Sequence, residues 1–196
     1  MSAPIRTGNA GSSLTQGGTW RRVDQRTAQR AAGAERRTAA VLDRACKATG
    51  AVALHDLVIP VALPDGGQPN IDHLIVSGTH VHVIDTKMWK PGFCWTLPGL
   101  GSFRGFSRFS AADKKTLLMA RSALTAFLTH QGIQTPITCT VVAWPSNPNG
   151  TLSTWALHVP GASTIPASSL APWCSLHATD PADARTVTAL SYLVRR

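Results

Sequence analysis

Residues Asn70–Trp89, reading NIDHLIVSGTHVHVIDTKMW, constrain the chain more than any other stretch. Two apolar-rich runs, Ile71–Val76 and Val81–Lys87, flank Ser77-Gly78-Thr79-His80, where Gly78 supplies the positive φ that a tight turn needs. The stretch therefore reads as a β-hairpin. A two-residue turn at Gly78-Thr79 and a four-residue turn at Ser77–His80 give the same register, with Val76 facing Val81, Leu74 facing Val83 and Asp72 facing Asp85. Side chains alternate along a strand, so Asp72, Leu74 and Val76 share one face with Val81, Val83, Asp85 and Lys87. Directly opposed residues have Cβ atoms roughly 4.5–5.5 Å apart, and like charges there are destabilising. Two opposed aspartates ask for a partner, and a hard cation such as Mg²⁺ prefers carboxylate oxygen. Lys87 would stand beside it as a fixed positive charge. A pair of solvated aspartates at the end of a strand pair fits the spacing equally well.

The residue that tips this balance lies upstream. From about Trp20 to Thr49 the pattern is helical, with Gly50 as the C-terminal stop. At 100° per residue Ala28, Ala39, Leu42 and Cys46 fall on one stripe, and Glu35, the only glutamate in the chain, lies within it. A carboxylate on a buried stripe is costly unless paired or cation-bound. Arg26, Arg30, Arg37 and Arg44 fall on the opposite face, which predicts that they stay outside any cleft containing Glu35. The next strand, Ala51–Val61, carries His55 and Asp56 at its middle, read as an edge-facing polar pair, and ends at the turn Pro64-Asp65-Gly66-Gly67.

These residues together resemble the NERD (nuclease-related) domain of the PD-(D/E)xK nuclease-like superfamily. The resemblance rests on Glu35 in AGAERRTAAVLDRA, the strand HDLVIP, and NIDHLIVSGTHVHVIDTKMWKPG. It is close over residues 30–92 and looser to Pro145. It implies an α/β, restriction-endonuclease-like core, with a central mixed β-sheet between helices 20–49 and 110–131. It also implies a Mg²⁺- or Mn²⁺-dependent endonuclease acting on nucleic acid, DNA first, with a catalytically silent DNA-binding accessory domain as the alternative. By the same resemblance Asp72, Asp85 and the Thr86 carbonyl hold the metal, Glu35 joins directly or through water, and Lys87 orients the attacking water or neutralises developing charge. His73 matches the family's Asp-His pair and Trp89 the aromatic after the lysine; both are expected to support the site from behind. The chain departs from the pattern twice, with Asp85 where Glu is usual and Ala34 where Gly is usual.

Composition agrees with a polyanion partner. There are 19 Lys+Arg against 10 Asp+Glu, a formal charge of +9. Residues 20–49 hold eight basic and three acidic residues, a net +5. No run approaches the roughly 20 apolar residues of a membrane span. Cys46, Cys94, Cys139 and Cys174 form no CxxC pair, which argues against a zinc site and suits unbridged thiols in the cytoplasm. Residues 1–18 are expected to be a disordered leader and 19–196 one domain. In Pro98–Ser110, Arg104 and Arg108 interleave with Phe103, Phe106 and Phe109, which fits either a loop that grips phosphate and stacks bases or a hairpin tip covering the sheet. Ser110–Gln131 reads as a second helix capped by Ser110, with Lys114 and Lys115 in its first turn; with Lys90 they are candidate nucleic-acid contacts. Pro136–Ala143 reads as a core strand, Trp155–Val159 and Thr164–Ile165 as short strands, and 167–175 and the residues after Asp180 as closing helices. A homodimer or another protein partner stays open.

Overall fold

The turn at Gly78-Thr79 sets the register of the main sheet. Gly78 has φ +53°, and the strands either side pair as Val76↔Val81, Leu74↔Val83 and His73↔Ile84. The two-residue turn is the one formed. A computed structural model describes residues 7–11, 25–59 and 70–195. The onset of the first helix near Trp20 and the turn at Pro64–Gly67 lie outside the described residues.

Helix α1 (Gln25–Thr49) stops where Gly50 takes φ +81° and donates its N–H to the Cys46 carbonyl. Strands β1 (Val52–Val58), β2 (Asn70–Ser77) and β3 (His80–Trp89) form an antiparallel meander. The chain then builds β4 (Gly92–Leu97), β5 (Gly101–Arg104) and β6 (Ser107–Arg108), a 3₁₀ turn at Ser110–Asp113, and α2 (Thr116–His130). β7 (Ile137–Pro145) returns parallel to β3, and β9 (Ser163–Pro166) lies parallel to β7, so the main sheet is mixed, in the order β1-β2-β3-β7-β9. β8 (Leu152–Ala156) joins a smaller sheet, β6-β5-β4-β8, that the sequence pattern did not predict. A 3₁₀ turn at Ala167–Ser169, α3 (Leu170–His177) and α4 (Ala184–Ser191) close the described chain.

Alternation along β2 and β3 sorts the core into two layers. Leu74, Val76, Val81 and Val83 pack with Leu117, Leu124 and Leu128 of α2. Ile75 and Ile84 pack on the other face with Leu42 and Cys46 of α1 and Leu170 and Cys174 of α3. This is the expected α/β sandwich. All four cysteines are buried and free. Among the described residues no helix is long and apolar enough to cross a membrane.

Two expectations need correction. The second helix begins at Thr116 rather than Ser110, because Asp113 gives its carboxylate to the Ser102 N–H and to Arg108, and Lys114 is extended at ψ 136°. Lys114 and Lys115 thus lie in a connector. His55 and Asp56 are buried, not edge-facing, because the outer side of β1 is covered: Val58 donates to the Leu193 carbonyl and Arg195 to the Asp56 carbonyl. On the same edge the Thr7 carbonyl accepts the His55 N–H at 2.8 Å, while Gly11 lies against Ala32 of α1.

Candidate active site

Around Asp72 the main sheet opens. Against β1 the Cα pairing runs through His73 and Ile71 but skips Asp72, and against β3 it ends at His73. On one flank Asp56, at φ +51°, occupies the position opposite it; aspartate tolerates this left-handed region better than most residues. On the other, the Asp72 carboxylate itself takes up the slack, its Oδ2 accepting the Thr86 N–H at 2.8 Å. One residue either side of Thr86, Asp85 and Lys87 project together, and Lys87 Nζ donates to Asp85 Oδ1 at 2.7 Å.

Glu35 arrives from the opposite layer. Three residues along α1, Thr38 Oγ1 accepts hydrogen bonds from Thr86 Oγ1 at 3.1 Å and Trp144 Nε1 at 2.9 Å, and Arg37 lies 4.3 Å from the Trp144 ring. This knot ties the turn of α1 that bears Glu35 to the β3 segment that bears Asp85 and Lys87. Glu35, Asp72, Asp85, Thr86 and Lys87 line one cavity of about 630 Å³, with Trp89, Lys90, Lys114 and Arg30 around them.

The site's charge is unbalanced. Burial first, and then the charge of Asp72 with smaller pushes from Asp56 and Asp85, raises Glu35 to about 8 against the pull of Lys87. Burial and the neighbouring Asp85 raise Asp72 to about 7, although Lys87 and the Thr86 N–H work the other way. Burial disfavours the Lys87 ammonium, but Asp85, Asp72 and Glu35 outweigh it and hold its pKa above the ordinary lysine value. Glu35 and Asp72 hold protons near neutrality because both are buried and because each lies close to other carboxyls. Among the described residues no three Asp, Glu, His or Cys side chains stand arranged to hold a metal ion. The donors nevertheless suit a hard cation that takes one or two carboxylates and fills its remaining positions with water, as Mg²⁺ does.

The residues read from sequence divide into two groups. Glu35, Asp72, Asp85, Thr86, Lys87, Trp89, Lys90 and Lys114 line the cavity; His73, Arg104, Arg108 and Lys115 do not. His73 is fully buried on the α1 side, its Nδ1 2.9 Å from Nδ1 of His55, whose Nε2 meets Asp43 Oδ1 at 3.0 Å. Trp89 is buried with its ring edge-on to Phe109. Arg104 lies over Phe109, and Arg108 over Phe103. Arg30 corrects the expectation that the arginine face avoids the cleft. Thr27, Ala31 and Glu35 follow one another at helical spacing along the cavity wall, and the long exposed Arg30 side chain flanks that row. Thr38 and Trp144 carried no legible signal, because their roles depend on two layers meeting.

Among protein families, a family model described as the nuclease-related domain matches residues 30–143. Curated proteins and solved structures return no match.

Proposed function

The chain belongs to the NERD (nuclease-related domain) family, and from that membership we propose that it hydrolyses phosphodiester bonds in nucleic acid, DNA foremost, with Mg²⁺ or Mn²⁺ held at Asp72 and Asp85. The observation that carries this reading is the shared cavity, where two carboxylates, a third from another layer and an ammonium converge. In it, the carboxylates of Asp72 and Asp85 and the Thr86 carbonyl are the donors to the cation, with Glu35 joining directly or through water. The cation, when bound, polarises the phosphate and lowers the pKa of a bound water. Lys87 stays protonated and sets its charge against the oxygens where negative charge develops. Burial holds the Glu35 carboxyl protonated in the metal-free site, so Glu35 would accept a proton from the attacking water only after losing its own to cation binding. Lys90, Lys114 and Arg30 at the rim orient the backbone by its phosphates.

One observation favours the silent accessory domain instead: Asp85 is held by Lys87 and Asp72 by Thr86, so cation binding must compete with both contacts. A digestion panel decides between the two. Wild type and Lys87→Ala are incubated with single- and double-stranded DNA and RNA, in Mg²⁺, Mn²⁺ or EDTA. Cutting by wild type that needs the divalent ion and vanishes in Lys87→Ala supports hydrolysis. Binding without cutting in every arm supports the accessory domain.

A further inference from the structure

The smaller sheet turns an aromatic face to solvent. Cys94 of β4 points into the core, so Phe93, Trp95 and Leu97 point out. Trp95 sits directly opposite Phe103 on β5, and the rings stack with centroids 4.9 Å apart at 23°. Phe103 in turn pairs with Arg108 on β6, whose guanidinium lies 5.4 Å from the Phe103 ring. On the other side Phe93 leans on Trp155 of β8, with centroids 5.5 Å apart. A row Trp155–Phe93–Trp95–Phe103–Arg108 thus crosses all four strands, with Trp155 83% exposed and Phe93 39%. Trp95 and Phe103 are half-buried, so the row opens to solvent most fully at its Trp155–Phe93 end, and an aromatic row of this size marks a recognition surface.

Charge selects the partner. From Thr86 to Thr179 the chain has seven Lys+Arg and one acid, Asp113, and that acid is bonded to Arg108 and to the Ser102 N–H. The stretch that builds this face therefore carries a net positive charge, which favours a polyanion. Arg108 is also held by the Ser102 carbonyl at 2.8 Å, so it is fixed as a flat plane above Phe103. The row adjoins the cavity: Lys90, on the cavity wall, is three residues before Phe93, a span of at most about 11 Å, and Ala111 is three residues after Arg108. In a duplex the base faces are already stacked on one another, whereas unpaired bases offer theirs to aromatic side chains.

We propose that the outer face of the β6-β5-β4-β8 sheet binds a single-stranded segment of nucleic acid by stacking its bases on the Trp155–Phe93 and Trp95–Phe103 rings. The binding stands by itself; its role in presenting a strand to the cavity rests on the hydrolytic reading above. The test uses the full chain in EDTA, with fluorescently labelled oligodeoxythymidine, the matching oligouridine and a duplex. Anisotropy gives affinity, and tryptophan emission reports stacking. Trp155→Ala and Phe93→Ala should each weaken single-strand binding about tenfold while duplex binding stays within about twofold. The salt slope should not change, since no phosphate contact is lost. Trp155→Phe should restore most of the affinity while removing most of the emission quenching. Selective loss on either polymer, or on both, supports the platform and names the polymer. Equal loss on duplex and single strand, or no loss on any ligand, overturns it. The two readings fail separately: an absence of cutting in every arm of the digestion panel removes the hydrolytic assignment without touching these affinities.

Discussion

Asp72 carries opposed demands. Its Oδ2 accepts the Thr86 N–H, yet burial and Asp85 push its carboxyl up to about 7. Asparagine at 72 keeps an acceptor for Thr86 and removes the charge. Asp72→Asn is therefore expected to melt higher than wild type at pH 8 in EDTA, by roughly 2–4 °C for each kcal/mol of repulsion relieved. It should also lose most of the stabilisation that Mg²⁺ gives wild type. Lys87→Ala should act in the opposite direction, because it strips the ammonium from three carboxyls and lowers the apo melting temperature at that pH. Thermal melts of the three proteins with and without Mg²⁺ check both signs; a Mg²⁺ shift of equal size in wild type and Asp72→Asn would remove the metal site.

At the scale of elements, α1 is fixed by a knot and not by its apolar stripe alone. Thr38 serves two donors, Thr86 Oγ1 and Trp144 Nε1, in a buried setting. Thr38→Val leaves both without an acceptor, and each orphaned group costs about 1–3 kcal/mol. The expected result is a lower melting temperature and, because Glu35 sits one turn away, a fall in kcat larger than any rise in KM. Thr38→Ser keeps the acceptor and should recover both; a serine variant as impaired as valine would assign the loss to packing. The same helix offers a second comparison. Arg30 lines the cavity, while Arg44 lies outside it on the far portion of α1. Arg30→Ala should reduce the salt slope of nucleic-acid binding by about one, and Arg44→Ala should leave it unchanged.

For the molecule as a whole, the two carboxyls link folding to pH. In the unfolded chain Glu35 and Asp72 titrate near 4.5 and 3.8; folded, burial and mutual repulsion move them to about 8 and about 7. Between those values the native state holds more protons than the unfolded chain, so stability falls as pH rises through that window. His82 has the opposite sign. Burial, with His177 and His80 nearby, lowers it from 6.5 to about 4, so its contribution is present above 6.5 and lost as pH falls towards 4. The two windows overlap between about 4.5 and 6.5, where two carboxyls outweigh one imidazole, so the metal-free protein should lose stability gently as pH rises to 6.5 and more steeply along an alkaline limb above it. Mg²⁺ should flatten the alkaline limb alone, since it replaces the protons on the carboxyls and leaves His82 untouched. Melts from pH 5 to 9 in EDTA and in Mg²⁺ measure this, and an alkaline limb unchanged by Mg²⁺ contradicts it.

The sequence by itself determined the hairpin and what the hairpin carries. A two-residue turn fixes register, and alternation then places Asp72, Asp85 and Lys87 on one side whatever surrounds them. The 3.6-residue period likewise turned Glu35 inward with Ala39, Leu42 and Cys46. Both are properties of the local backbone. What the period could not give is where a side chain ends up once layers pack. Glu35 reaches the aspartates from the opposite face because Thr38 meets Thr86 and Trp144, partners 48 and 106 residues away. Arg30 flanks the cavity because a long exposed side chain reaches beyond its helix phase. His73 pairs with His55 inside the α1 layer because the β1–β2 register sets them opposite one another and Asp43 of α1 meets the far nitrogen of His55. The aromatic row, too, appears only when β8 joins β4 and brings Trp155 to Phe93 across 62 residues. Local geometry fixes which way a residue faces; only the meeting of distant segments decides what it faces.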